Sequence, residues 1–94
     1  MNQLFVTSYR YRSDLDADDL SDLTKKFAEV GNAPGVIAHY TRLDGSGGFV
    51  IQENLTDHAA AFEVTLRYAP WMEFEVYPVA TIEETFPVIQ KVYG

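Results

Sequence analysis

The stretch that most constrains this chain is residues 35–55, GVIAHYTRLDGSGGFVIQENL, where two strand-like runs flank a glycine-rich turn. Asp44-Gly45 is a strong turn dipeptide, and Gly47 and Gly48 leave room for a longer loop or a bulge. Val36, Ala38 and Tyr40 alternate with Ile37, His39, Thr41 and Leu43; beyond the turn, Phe49, Ile51 and Glu53 alternate with Val50, Gln52 and Asn54. Alternation with period two sends successive side chains to opposite faces of a sheet. A hairpin in mid-chain obliges the segments on either side to pack against it.

Residues 3–12 (QLFVTSYRYR) carry the β-branched and aromatic types of a strand. Phe5, Thr7, Tyr9 and Tyr11 fall on one face, and Leu4, Val6, Ser8, Arg10 and Arg12 on the other. Both faces begin apolar, as expected of a central strand covered on both sides. SDLD follows with several possible N-caps and an acidic first turn, Asp18 and Asp19. Leu20, Leu23, Phe27 and Val30 then recur at spacings of three, four and three, which predicts a helix over about 16–30 that Gly31 ends.

After the hairpin, Thr56 or Asp57 caps a second helix with an expected apolar stripe of Ala59, Phe62, Leu66 and Ala69, ended by Pro70. WMEFEVYPV (71–79) predicts a fourth strand, in which Pro78 marks an edge position or the strand's end. Met72, Phe74 and Val76 face one way; Glu73, Glu75 and Tyr77 face the other. Thr81 and Glu84 resemble a capping box, and Pro87 predicts a kink or two short turns in the C-terminal tail.

The predicted order is βαββαβ plus a helical tail in a single domain of 94 residues. With right-handed crossovers this is an α+β, ferredoxin-like sandwich: a four-stranded antiparallel sheet with two helices on one face. The other face also carries apolar side chains, and so short a chain has no spare element to cover it. A homodimer packed sheet against sheet is the expected solution.

Three segments, LFVTSY, DGSGGFVIQEN and FEVYPVATIEE, resemble a family of short uncharacterised bacterial and phage proteins of the dimeric α/β-barrel (ferredoxin-like) superfamily. That superfamily includes cofactor-free quinone-forming monooxygenases, haem-handling enzymes, small-acid isomerases and ligand-binding regulators. The resemblance implies a fold and dimerisation, and a ligand pocket between sheet and helices lined by aromatic rings. It does not imply a reaction.

Composition removes several chemistries. With no cysteine, disulfides, thiolate metal sites and cysteine nucleophiles are excluded. A net charge of −7 with seven scattered Lys and Arg supplies no footprint for direct nucleic-acid binding. The acidity suits solubility or a basic protein partner. MNQLFVTSYRYR lacks the basic start of a signal peptide, and no stretch reaches the length of a membrane span, so a cytoplasmic location with no membrane contact is expected.

Asp14, Asp16, Asp18 and Asp22 suggest a calcium loop, but Asp19 and Lys25 stand where such a loop requires Gly and Glu. No metal site and no cofactor are expected. DGSGG runs into a strand rather than into Gly-Lys-Ser/Thr and a helix, so it is a turn and not a phosphate cradle. His39, in register with Ile37 and Thr41, points at a largely buried face and is the one candidate general base. Tyr9, His39, Asn54, Tyr68 and Trp71 are the candidate ligand-binding residues, with Tyr68 and Trp71 flanking the Pro70 turn. The plain structural alternative is that these rings fill core and interface with their polar ends toward water. His58, in the first turn of the second helix, is expected to be exposed. Glu73 and Glu75 share a strand face but make no catalytic pair with a second element. Two functions compete: a homodimeric barrel holding a small apolar or aromatic ligand, and a non-enzymatic acidic interaction module, such as a phage or host accessory or inhibitor protein.

Overall fold

A computed structural model describes residues 3–53 and 57–94. The elements run β1 (Leu4–Tyr11), α1 (Ala17–Val30), β2 (Val36–Thr41), β3 (Gly47–Glu53), α2 (His58–Tyr68), β4 (Met72–Val79) and α3 (Ile82–Tyr93). The four strands form one antiparallel sheet in the order β2-β3-β1-β4. The first strand is therefore internal and β4 lies at an edge, as its Pro78 predicts.

Local chemistry sets the helix boundaries. The Asp16 carboxylate accepts from the Asp19 N–H at 2.8 Å, and the Asp19 carboxylate accepts from the Asp16 N–H at 3.0 Å, closing a reciprocal cap. Gly31 ends α1 at φ 73°, donating its N–H to the Phe27 carbonyl. Asp57, rather than Thr56, caps α2 by accepting from the Ala60 N–H at 2.9 Å; Thr56 lies outside the described residues. Thr81 caps α3 through the Glu84 N–H at 3.2 Å.

Three expectations need correction. The tail is one helix and not two short turns: Pro87 sits just past the first turn, and the Glu83 carbonyl it leaves without an amide partner is on an exposed residue that water reaches. The inward face of α2 is Ala61, Val64, Thr65 and Tyr68; of the expected stripe only Phe62 lines the cleft, at its open side and 62% exposed, while Ala59, Leu66 and Ala69 do not. The two stripes have the same helical spacing, and the Tyr68 ring decides between them by giving its hydroxyl to the Gly31 carbonyl at 2.8 Å. The bulge lies in β2 and not at Gly47-Gly48: Val36 pairs with Gln52 and Ala38 with Ile51, with the register shifting between them. Ile37 is the extra residue and points away, 56% exposed, so His39 shares its face with Val36.

Helices α1 and α2 cover one face of the sheet. Among the described residues the buried apolar side chains are only Tyr9, Leu23 and Tyr68, with Thr7 and Gln52 buried beside them. The opposite face bears Leu4, Val6, Tyr40, Phe49, Ile51 and Tyr77, and Tyr40, Phe49 and Tyr77 remain exposed. No helix among the described residues is long and apolar enough to cross a membrane.

Candidate functional site

Between the two helices and the sheet lies a cleft of about 450 Å³. Its walls are mostly apolar: Leu23 and Phe27 from α1, Val50 from β3, and Met72, Phe74 and Val76 from β4. Packed interiors leave few voids larger than a water molecule, so an opening of this size sets the cleft apart from a filled core.

A polar chain crosses this apolar wall. The Tyr9 hydroxyl lies 2.7 Å from His39 Nε2, and His39 Nδ1 lies 2.9 Å from Asn32 Oδ1. The Asn32 oxygen can only accept, so Nδ1 carries the hydrogen. In the neutral ring, Nε2 then accepts the Tyr9 O–H. Burial lowers the His39 pKa from 6.5 and so favours this neutral ring. Burial, with the Tyr11 phenol adding to it, pushes Tyr9 up to about 12. Phe27 holds the imidazole edge-on, with ring centres 5.9 Å apart.

Each member is placed by a different element. Tyr9 stands on the internal strand, opposite Gly48 of β3. A Cβ on Gly48 would sit 2.6 Å from the Tyr9 hydroxyl oxygen and collide with the Tyr40 carbonyl, so only glycine lets the ring lie there. The β2 bulge aims His39 inward, and the loop after α1 presents Asn32. A second polar pair, Thr7 Oγ1 donating to Gln52 Oε1 at 3.0 Å, lies deeper on the same wall; Gln52 Nε2 donates to the Pro34 carbonyl at 3.3 Å. Among the described residues, every buried side-chain nitrogen and oxygen has a partner.

The arrangement is a hydrogen-bond relay. A hydroxyl that donates to the Tyr9 oxygen is coupled, through the Tyr9 O–H, to the Nε2 lone pair.

Of the residues expected at a site, Tyr9, His39 and Tyr68 line the cleft together. Trp71 does not line it; its backbone instead joins the turn before β4, with its N–H to the Tyr68 carbonyl and its carbonyl accepting from the Arg12 N–H. Asn54 lies outside the described residues. The residue the sequence concealed is Asn32, hidden in a stretch (NAPG) that reads only as a helix exit. His58 is exposed on α2, away from the cleft. Glu73 and Glu75 are exposed on β4. In the turn, the Asp44 carboxylate accepts from the Ser46 N–H, the Ser46 hydroxyl and Arg42, which lowers its pKa and closes the turn on itself. Among the described residues, no three His, Cys, Asp or Glu side chains gather as a metal site.

Residues 3–93 match the model of a family described as a domain of unknown function (DUF3303). No curated protein matches the chain.

Proposed function

We infer that this chain, which belongs to the DUF3303 domain family, binds a small, flat, apolar or aromatic molecule carrying one hydroxyl or N–H group. The observation that carries the reading is the Tyr9–His39–Asn32 chain set into an otherwise apolar cleft of about 450 Å³. Apolar walls supply affinity through area removed from water, and a few fixed polar atoms supply orientation. The ligand lies against the apolar walls of the cleft and donates its hydrogen to the Tyr9 oxygen, whose own hydrogen is engaged by His39. In this reading the fold is ferredoxin-like, and two copies meet through their open sheet faces as a dimeric α/β barrel. The strand order and the exposed Tyr40, Phe49 and Tyr77 support that assembly.

The test is a thermal shift with menadione, 1-naphthol and 2-naphthoic acid as probes. Ligand at about 100 times its dissociation constant stabilises by about 2.7 kcal/mol, a rise of roughly 10–20 °C for a domain of this size. The hydroxyl probe, 1-naphthol, should give the largest rise, and His39→Ala should abolish it. Val50→Trp, which places an indole in the cleft, should remove the response to all three. Equal shifts in wild type and Val50→Trp, or no shift with any probe, overturn the reading.

A further inference from the structure

Helix α3 is the part of the molecule that the cleft does not use. Its apolar side chains Ile82, Phe86, Ile89 and Tyr93 recur at spacings of four, three and four, one stripe of an amphipathic helix. None of its residues is buried, and Tyr93 is 87% exposed. The chain measures 53 × 29 × 16 Å with a radius of gyration of 15.9 Å, whereas a compact domain of about 100 residues has about 13 Å. The thickness of 16 Å holds two layers, sheet and helices; a third layer would add about 10 Å. Hence α3 does not lie over the open sheet face. An eight-residue strand spans about 27 Å and a twelve-residue helix about 18 Å, so the 53 Å dimension is the sheet with α3 projecting beyond its end.

We propose that α3 is an arm that seats its apolar stripe on a second copy of this chain, extending the face-to-face contact of the two sheets past the end of each. The inference rests on the dimeric reading above and adds to it the element that does most of the clasping. Only Ala80 and Thr81 separate β4 from the helix, and Thr81 is tied into its cap, so the helix direction is set by the strand it leaves. A stripe held past the end of its own sheet reaches another molecule without rearrangement. The area agrees: the exposed parts of the α3 stripe with Val92, together with Tyr40, Phe49 and Tyr77, come to roughly 800 Å² per copy, about what each partner contributes to a standard stable interface. The three exposed rings of the sheet face supply less than half of that sum. The occupant is a second copy because the face and the stripe occur on every molecule and are both apolar. Two chains of net charge −7 have no electrostatic attraction to offer instead.

The experiment is sedimentation equilibrium of the full-length chain over a dilution series. Three proteins are compared: wild type, Phe86→Asp/Ile89→Asp and Phe49→Asp. Phe86 and Ile89 are 49% and 44% exposed, so the double variant should keep the monomer fold, which far-UV circular dichroism checks. Wild type should run as a dimer, and the double variant should weaken dimerisation by about 100-fold or more. If the double variant dimerises as wild type while Phe49→Asp does not, the arm is refuted and the sheet-face dimer stands. A wild-type monomer at high concentration overturns both. Neither result touches the ligand response of the cleft, which is read separately by thermal shift.

Discussion

Replacing Tyr9 by Phe removes one oxygen from the cleft and keeps the ring. The bond lost is the 2.7 Å contact to His39 Nε2, between a buried phenol and a half-buried imidazole. A hydrogen bond of this kind contributes about 0.5–1.5 kcal/mol net. The freed Nε2 faces an open cleft where water reaches it, so the larger penalty for an orphaned buried group does not apply. The variant should therefore melt about 4–8 °C lower at pH 8 for each kcal/mol lost. The pH dependence makes the test sharper. Since the folded His39 pKa lies below 6.5, the unfolded chain binds more protons between that lowered value and 6.5. The His39 contribution to stability is thus complete above pH 6.5 and is lost as pH falls through this window. Burial is what lowers the His39 pKa, and Tyr9→Phe leaves the imidazole as buried as before, so the variant should keep that slope while losing the bond itself. Wild type and Tyr9→Phe should both lose the His39 contribution as pH falls through this window, and the difference between them should be present at pH 8, where the ring is neutral and Nε2 accepts. Urea unfolding at half-unit pH steps measures it. A difference that is absent at pH 8 would refute the relay.

Two further outcomes follow from the same wall. Absorbance at 295 nm during alkaline titration should show a late tyrosinate step near pH 12 that Tyr9→Phe deletes; complete ionisation by pH 11 with the far-UV spectrum intact would contradict it. Because the folded Tyr9 pKa is raised, its contribution to stability is full below pH 10 and declines as pH climbs toward 12. Gly48→Ala forces a methyl against the Tyr9 hydroxyl and the Tyr40 carbonyl and should cost about 1–3 kcal/mol in denaturant unfolding; a neutral result would mean that β1 and β3 yield there without strain.

Much of the fold was legible in the sequence because local rules agree with the tertiary result. The Leu20-to-Val30 stripe, the Asp16 cap and Gly31 bracket α1 within a residue, and Pro78 marks an edge. The second helix was misread for a definable reason. Periodicity ranks stripes by apolar content, so Phe62 with Leu66 outscored Ala61 with Tyr68; Phe62 does reach the cleft, but Leu66 does not, and the tyrosine had a hydroxyl to satisfy and an acceptor in reach at Gly31. The site was half legible. Alternation placed His39 and Tyr9 on inward faces, but it aligned His39 with Ile37, because a bulge has no signature in alternation. Asn32 was illegible for a different reason. Its role depends on where a loop residue ends up after α1 turns back onto the sheet, and spacing along the chain carries no such distance.

The bulge at Ile37 has one more consequence. It interrupts β2 along the outer margin of the sheet, and Pro78 withholds an amide from β4 along the opposite margin. Neither margin offers an unbroken row of donors and acceptors to an arriving strand. Copies of this chain are thereby steered away from joining side by side into ribbons, an arrangement with no natural end. In the face-to-face assembly proposed above, contact through the broad faces would instead consume the exposed surface of both molecules at once, and growth would stop at a closed, finite particle.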